Sequence, residues 1–270
     1  MPELPDVELF KRLVDQYCLG RVIAKAVVAD PGSLKGISPT ALQERLKGKR
    51  LSFCRRHGKV LFIETGSAGA LAMHFGTNGS LDYLVRDQSE PPYVRLWFGF
   101  ADGDRLAYVN PRRIGHVQLV ESSGTFIANA GLGPDALDAS FDAAAFAAAL
   151  GKGKQAIKPL LMDQTRMAGI GNIYADEILF QAKLHPATRA NTLDSATRRH
   201  LFQAMKSVLQ TAIDRGTGAE IFMNRLPNGF LLSERRADGR CPRCGTAIQA
   251  DKRSGRTGYF CPNCQPRPGR

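Results

Sequence analysis

Four cysteines near the C-terminus constrain the fold of this chain more than any other feature. They form two Cys-x2-Cys pairs, Cys241/Cys244 and Cys261/Cys264, separated by 16 residues. Two such pairs can surround one Zn²⁺ as a closed tetrahedron of thiolates, which leaves no position for a reacting water. The pattern therefore predicts one structural zinc ion per chain. The alternative is two disulfide bonds, which would conflict with a reducing compartment.

The segment between the two pairs, residues 252–260, has strand-like flanks and a basic tip that contains glycine. This pattern predicts a β-hairpin that projects Arg256 outward, where a cation can meet phosphates or an opened base stack. The alternative is a zinc ribbon that only fastens the C-terminus.

The charge balance favours a polyanionic partner. The chain has 37 Lys and Arg against 25 Asp and Glu, a formal net charge of +12. Half of this excess lies in residues 234–270, which contain nine basic and three acidic residues. A basic protein with a clustered excess is typical of nucleic-acid binding, although a merely basic surface is the alternative.

No apolar run in the sequence reaches 18 residues, so we expect no membrane span. The first six residues are acidic and interrupted by proline, unlike a secretory signal. We therefore expect a cytosolic monomer, in which the isolated Cys18 and Cys54 are small buried side chains.

Hydrophobic periodicity divides the chain. Residues 6–18 predict a helix, and residues 21–120 contain short segments rich in β-branched and aromatic residues, which predict a β-sandwich or barrel with a helix at 42–46. The segment Gly131–Pro134 is rich in glycine and proline, which interrupt helices and strands. After it, helices are predicted at 141–150, 157–164, 173–182 and 195–214. We expect an α+β chain of three domains, a β-sandwich at 1–130, a helical domain at 131–232 and a zinc finger at 233–266.

A glycine turn, Gly169-Ile-Gly171-Asn172, opens one of these helices. Free N–H groups at a helix start attract phosphate, and Asn172 could act as N-cap or DNA donor. Lys158 on the preceding helix could reach the same phosphate. Packing between the two helices alone is the alternative.

The N-terminus offers a nucleophile. Removal of Met1 would expose the secondary amine of Pro2, and a terminal amine has a reference pKa of about 8, so part of it is neutral in the cell. Such an amine can attack the anomeric carbon of a deoxyribose and form an iminium, while Glu3 shuttles protons. Taken alone, Met-Pro-Glu is a common N-terminal sequence and does not indicate a nucleophile.

Further motifs occur with this start in one order along the chain. Together they resemble the formamidopyrimidine-DNA glycosylase family, bacterial enzymes that remove oxidised purines, and more distantly endonuclease VIII. The resemblance covers the whole chain and implies a β-sandwich flanked by two helices, a helix–two-turn–helix domain and a zinc finger. The segments that carry it are residues 2–8, 58–59, 74–79, 110–115, 132–134, 157–163, 169–175 and the four-cysteine finger.

The resemblance implies a bifunctional DNA glycosylase and AP lyase. Pro2 would be the nucleophile and Glu3 the proton donor. Lys59 matches the residue that assists β-elimination, and Arg256 matches the finger arginine of δ-elimination. A plain surface lysine is the alternative for Lys59.

Five further residues would contact double-stranded damaged DNA. Arg112 and Ile114 would fill the space left by a flipped nucleotide, and Lys158 and Asn172 would contact phosphates. His74 is either a phosphate contact or a hydrogen-bonded core histidine.

The chain departs from the family where the base is read. Asp6 stands where the family usually has Glu, and Thr77 and Ile114 replace its Met and Phe wedge. Residues 216–219 replace its Gly-Gly-Thr-Thr segment, and residues 220–229 do not resemble the loop that caps 8-oxoguanine. We therefore expect the strand-cleavage chemistry to be kept, whereas ring-opened purines, 8-oxoguanine and oxidised pyrimidines all remain possible substrates.

Two rival functions are a non-catalytic binder of damaged DNA on the same scaffold and an RNA-binding zinc-ribbon protein. Intact Pro2, Glu3 and Lys59 argue against the first. The second gives no reason for the N-terminal motif.

Overall fold

The fold is that of a computed structural model, which describes residues 1–219, 222–253 and 255–267. The chain forms two compact units. The first comprises Met1–Pro2 and Asp6–Gly131, and the second comprises Glu3–Pro5 and Leu132–Arg270. Each unit has its own hydrophobic core.

The first unit is a sandwich of two sheets, which confirms the predicted N-terminal fold. A four-stranded antiparallel sheet has the order β1-β7-β8-β6, and a five-stranded sheet has the order β2-β9-β5-β4-β3. Only β2 pairs in parallel with its neighbour, β9, among these strands. The strands are β1 (Ile23–Val28), β2 (Leu34–Lys35), β3 (Phe53–His57), β4 (Val60–Glu64), β5 (Ala70–His74), β6 (Ser80–Leu84), β7 (Val94–Phe100), β8 (Arg105–Val109) and β9 (His116–Val120).

Burial follows the position of each strand in its sheet. The inner strands β4 and β5 are buried over their first four residues each, and all of these residues are apolar. The edge strand β3 carries two arginines and a histidine, so its sequence does not show the apolar pattern by which strands are predicted. Side chains of both sheets meet in one core, which includes Leu61, Leu71, Phe98 and Leu106.

Helices flank the sandwich. Helix α1 (Leu4–Tyr17) buries Val7 and Val14, and Gly20 follows at φ +81°, a left-handed conformation that suits glycine at a helix end. Helix α2 (Pro39–Leu46) begins at an N-cap, Ser38, whose hydroxyl accepts the Ala41 N–H. Helix α3 (Ser123–Asn129) follows β9.

The second unit contains α4 (Ala143–Leu150), α5 (Ile157–Met162), α6 (Asn172–Gln181) and α7 (Ser195–Asp214). Helix α7 has the predicted bounds and buries one apolar stripe at helical spacing. Helix α6 is the centre of this unit, since all its residues from 173 to 180 are buried. No helix in the described ranges is long and apolar enough to cross a bilayer.

The predicted zinc-finger hairpin is present as β10 (Gln249–Arg253) and β11 (Arg256–Phe260), paired antiparallel. It belongs to a small core that joins Phe180 of α6 to Leu231, Ile248 and two of the cysteines. The helices, the mixed sheets and the finger together confirm the α+β class expected from the sequence.

Helix α6 also contains a fully buried carboxyl group, that of Glu177. One oxygen accepts the amide N–H of Gln181 at 2.7 Å, and the other accepts the backbone N–H of Leu232 at 2.9 Å. Burial disfavours the charge and outweighs these donors, so that the pKa of Glu177 is raised from its ordinary value of 4.5 to about 7.

We expect Glu177→Gln to remove a pH dependence of stability. Because the folded-state pKa is raised, the wild-type contribution is complete below pH 4.5 and is lost as the pH rises through about 7. The loss amounts to at most about 3 kcal/mol in the free energy of unfolding. Urea unfolding of both proteins between about pH 5.5 and about pH 8 measures it. Parallel curves for the two proteins would contradict the assignment.

Candidate functional site

The four cysteines fit a tetrahedral zinc ion. All four Sγ atoms lie within 4.8 Å of one another. The Sγ–Sγ distances are 3.7 Å for Cys241 and Cys264, 3.5 Å for Cys244 and Cys261, and 3.6 Å for Cys244 and Cys264. A zinc ion bonded to four sulfurs at about 2.3 Å requires edges of about 3.8 Å. The residues therefore suit one structural zinc ion, as the spacing predicts.

The start of α6 is occupied by Glu3. Its carboxylate accepts the backbone N–H groups of Gly171 at 2.7 Å, Ile173 at 2.8 Å and Tyr174 at 3.2 Å, and Glu3 is only 1% exposed. The expectation that these N–H groups would bind phosphate is wrong, because a side chain of the same chain satisfies them.

The glycines of the turn make this arrangement possible. A Cβ atom on Gly171 would overlap the carboxyl group of Glu3, and one on Gly169 would overlap the side chain of Leu4. Gly169 also has φ +118° and accepts the Leu4 N–H at 3.0 Å through its carbonyl. Both glycines therefore serve the close approach of residues 3 and 4 rather than that of a ligand.

Lys158, Asn172 and Arg256 line one cavity of about 160 Å³ in the second unit, together with Gly258 and Asp251. Asn172 is the first residue of α6, and Gly171, not Asn172, is the N-cap. The Asn172 side-chain amide donates to the Thr257 carbonyl at 2.9 Å. Lys158 is 9% exposed, and its ammonium lies 2.6 Å from the carboxylate of Asp176. The exposed cation of the group is Arg256.

In the first unit, Lys59 directly precedes β4, and His74 is the last residue of the neighbouring strand β5. Gly58 and Lys59 form the two-residue turn between β3 and β4, and Val60, which follows, pairs with His74 of β5. Lys59 and His74 are both half-buried. This places a lysine and a histidine at the same end of the five-stranded sheet.

The ring of His74 is held in one tautomer. Its Nδ1 accepts the Gly76 N–H at 3.2 Å, so the proton of the neutral ring is on Nε2. Burial, with Lys59 and Lys35 nearby, lowers the pKa of His74. The ring of His116 stacks on it at 5.4 Å, and burial lowers the pKa of His116 to about 4. Near neutral pH both rings are therefore uncharged, and His74 retains an N–H donor.

The loop of residues 110–115 has a rigid base. The buried Asn110 donates to the Phe75 carbonyl at 3.1 Å and to the Tyr108 hydroxyl at 3.0 Å. Gly115 packs so closely that a Cβ atom would overlap Asn110 and Tyr108. Arg95 donates to the carbonyl of Asn110 at 2.8 Å. The tip of the loop is thereby held in place by its ends.

The tip itself is exposed. Arg112 faces solvent, and Ile114, which follows two arginines, is 52% exposed. Tyr93, whose carbonyl accepts the Asn110 N–H, is 56% exposed and has φ +67°. A left-handed backbone at an aromatic residue is strained. In the sequence, only its place after Pro91-Pro92 distinguishes Tyr93 from the other aromatic residues.

The segment after α7 follows a compact path. Glu220 and Ile221, the first residues of the altered loop region, lie outside the described residues. Met223–Arg225 forms a 3-10 turn, and Met223, Leu226 and Phe230 pack against the core of the second unit. Within its described part, this segment is attached to the helices by its apolar side chains.

Comparison with known proteins decides the family. The chain is 34% identical over 276 residues to the formamidopyrimidine-DNA glycosylase of Heliobacterium modesticaldum, covering 98% of this chain and all of the relative. The chain belongs to the formamidopyrimidine-DNA glycosylase family. A second member, from Acidothermus cellulolyticus, is 36% identical over 283 residues, covering 100% of this chain and 99% of the relative.

Family models cover the chain in three parts. The formamidopyrimidine-DNA glycosylase N-terminal domain matches residues 1–117, the H2TH domain matches 132–223, and the zinc finger found in FPG and IleRS matches 239–267. A crystal structure of the Lactococcus lactis formamidopyrimidine-DNA glycosylase bound to DNA containing an AP site is similar, with a TM-score of 0.87 and 30% identity over 98% of this chain and 100% of that one. A carbocyclic 8-oxo-G complex of a family member has the same TM-score, identity and coverage.

We expect Gly171→Ala to destabilise this member of the formamidopyrimidine-DNA glycosylase family, because the added methyl group must displace the Glu3 carboxylate. The expected loss is about 1 to 3 kcal/mol in the free energy of unfolding, the usual cost of overpacking. Urea unfolding measures it. Gly153→Ala is the control, since a Cβ atom at Gly153 would meet nothing within 4 Å. Equal stability of the two variants would show that Glu3 is not held as described.

Proposed function

We propose that this DNA glycosylase of base-excision repair removes oxidised purines through a Schiff base at Pro2 and then cuts the strand by β- and δ-elimination. The observation that carries the proposal is the fixed carboxylate of Glu3. Three backbone N–H groups hold it next in sequence to Pro2. A nucleophile and a carboxylate are thus joined by one peptide bond, with the carboxylate immobilised.

The chemistry begins once Met1 has been removed. The neutral nitrogen of Pro2 attacks C1′ of the damaged nucleotide, the bond from C1′ to the base breaks, and the base leaves with the proton that the amine gives up. The nitrogen lone pair then forms the C1′=N⁺ iminium as the C1′–O4′ bond breaks, and O4′ takes the electron pair of that bond and a proton. The resulting iminium acidifies C2′, so loss of a C2′ proton expels the 3′ phosphate. Loss of the C4′ proton then expels the 5′ phosphate, and water releases the sugar remnant and restores Pro2. Glu3, Lys59 and Arg256 carry the protons.

DNA is held by residues of both units. Arg112 and Ile114 fill the space of the flipped nucleotide, supported by the exposure of both side chains on an anchored loop. His74 donates its Nε2–H to a phosphate, supported by its fixed tautomer. Lys158 and Asn172 contact phosphates, and Arg256 lines the same cavity as these two residues.

The substrates proposed first are ring-opened purines and 8-oxoguanine. Oxidised pyrimidines are the second candidate, because residues 216–229 depart from the family's sequence in the part that caps the base. The described part of this segment packs on the core of the second unit. We further propose three domains, at residues 1–130, 131–232 and 233–266, in a monomeric protein that acts in the cytosol. A solution mass of 29.4 kDa by light scattering would support the monomer.

We expect borohydride to trap the protein on a duplex that contains an abasic site, with the cross-link on the peptide that begins at Pro2. Borohydride reduces the iminium to a stable amine, and mass spectrometry locates it. The matched control is the same chain extended by two residues ahead of Met1, in which the Pro2 nitrogen is an amide and cannot attack. A cross-link at a lysine, or equal trapping of the extended chain, would exclude Pro2 as the nucleophile. Absence of any adduct would favour a non-catalytic binder.

We expect affinity for an uncleavable abasic duplex to fall about 10³-fold between about 50 and about 200 mM salt, because phosphate contacts release counterions. Arg256→Ala should reduce the slope of log affinity against log salt by about 1. Lys47→Ala is the control, since this exposed lysine carries no proposed DNA contact. A slope unchanged by Arg256→Ala would remove Arg256 from the interface.

A further inference from the structure

Asp176 lies at the centre of a buried ionic cluster in the second unit. It is 1% exposed, on the buried helix α6. One oxygen lies 2.6 Å from the ammonium of Lys158. The other accepts the Arg235 guanidinium at 2.9 Å and the backbone N–H of Tyr259 at 3.0 Å. A carboxylate this deeply buried requires such partners, and its partners in turn require it.

These donors come from three separate parts of the unit. Lys158 is on α5, Arg235 follows the 3-10 turn Leu232–Glu234, and Tyr259 is on the zinc-finger strand β11. Arg235 also donates to the Thr257 carbonyl at 3.2 Å, and its guanidinium lies 4.8 Å from the centre of the Tyr259 ring. Asp176 therefore connects the helices, the linker and the hairpin in one place.

The contacts with β11 are concentrated next to Arg256. Thr257 receives hydrogen bonds from Arg235 and from Asn172, and Tyr259 donates to Asp176. Between them, Gly258 lies over the ion pair of Lys158 and Asp176, and a Cβ atom there would overlap the lysine ammonium. The three residues after Arg256 are thus fixed on the helices, whereas the side chain of Arg256 is exposed.

We propose that Asp176 is a positioning residue for Arg256. Its charge holds β11 on α6, so that the exposed guanidinium at the start of the strand is presented at a fixed place beside the cavity it lines. This inference rests on the proposed role of Arg256 in δ-elimination. Asp176 itself touches no reacting atom.

The test is Asp176→Asn, which keeps the shape and loses the charge, so that the buried Lys158 and the partly buried Arg235 lose their shared anion. The single-turnover ratio of β-product to β,δ-product on an abasic duplex should rise about tenfold, because displacement of a reacting group by about 1 Å costs up to about 10²-fold in rate. Zinc content and the rate of borohydride trapping at Pro2 should stay within a factor of about two of wild type, as both depend on other groups.

Glu177→Gln is the matched control. It removes the neighbouring buried carboxyl group, which accepts the Leu232 N–H and the Gln181 amide but no group of the hairpin among the described contacts. Its product ratio should equal that of wild type. A rise in both variants would reveal general destabilisation and overturn the proposal, as would an unchanged ratio in Asp176→Asn.

Two further measurements separate positioning from other roles. The double variant Asp176→Asn/Arg256→Ala should have the product ratio of Arg256→Ala alone, because Asp176 acts through Arg256; additive effects would overturn the proposal. Amide hydrogen exchange at residues 256–260 should be faster in Asp176→Asn and unchanged in Glu177→Gln. If wild type itself yields no Schiff base, the proposed function fails, whereas the exchange measurement still decides whether Asp176 holds the hairpin.

Discussion

The second unit depends on the requirement that a buried carboxylate must have donors around it. Glu3, Asp176 and Glu177 are each almost fully buried, and all three are satisfied at helix α6 or by it. Each carboxylate attaches a different segment to α6. Glu3 attaches residues 3–5, Asp176 attaches the hairpin through Tyr259, and Glu177 attaches the linker through the backbone N–H of Leu232. An apolar helix could have formed the core, but it would not have specified where these three segments attach.

The glycines of the motifs obey a related constraint. Gly115 and Gly171 each lie where a methyl group would overlap a polar side chain that is itself hydrogen-bonded, Asn110 in one case and Glu3 in the other. Close approach of backbone to ligand and close approach of backbone to side chain demand the same residue type. A glycine-rich turn before a helix therefore predicts proximity, but the sequence does not tell what is near.

Long periodic segments could be predicted from the sequence, and contacts between distant residues could not. Helix α7 has its predicted bounds, and the segments rich in β-branched and aromatic residues between 21 and 120 form strands of the sandwich. Strands β2, β3 and β6 lack this pattern, since β2 has two residues and β3 and β6 carry polar side chains, and helix α3 was not predicted. The zinc ligands could be identified because the coordinating residues lie in two short pairs. The cluster at Asp176 could not, because its partners are 18, 59 and 83 residues away. The one available signal was an Asp-Glu pair within an otherwise apolar helix.

The position of Glu3 also bears on the proposed role of the chain terminus as a nucleophile. Terminal residues are usually poorly ordered, and a mobile amine would lose most of the advantage of being bound near its target. Here the anchor is the side chain of Glu3 and the backbone N–H of Leu4, and neither group belongs to Met1. The nitrogen of Pro2 is one residue from a fixed point, so in the proposed reaction most of the entropy cost of ordering it would already be met during folding. A lysine in the same role would place four rotatable carbon–carbon bonds between the anchor and the amine, with a much higher pKa.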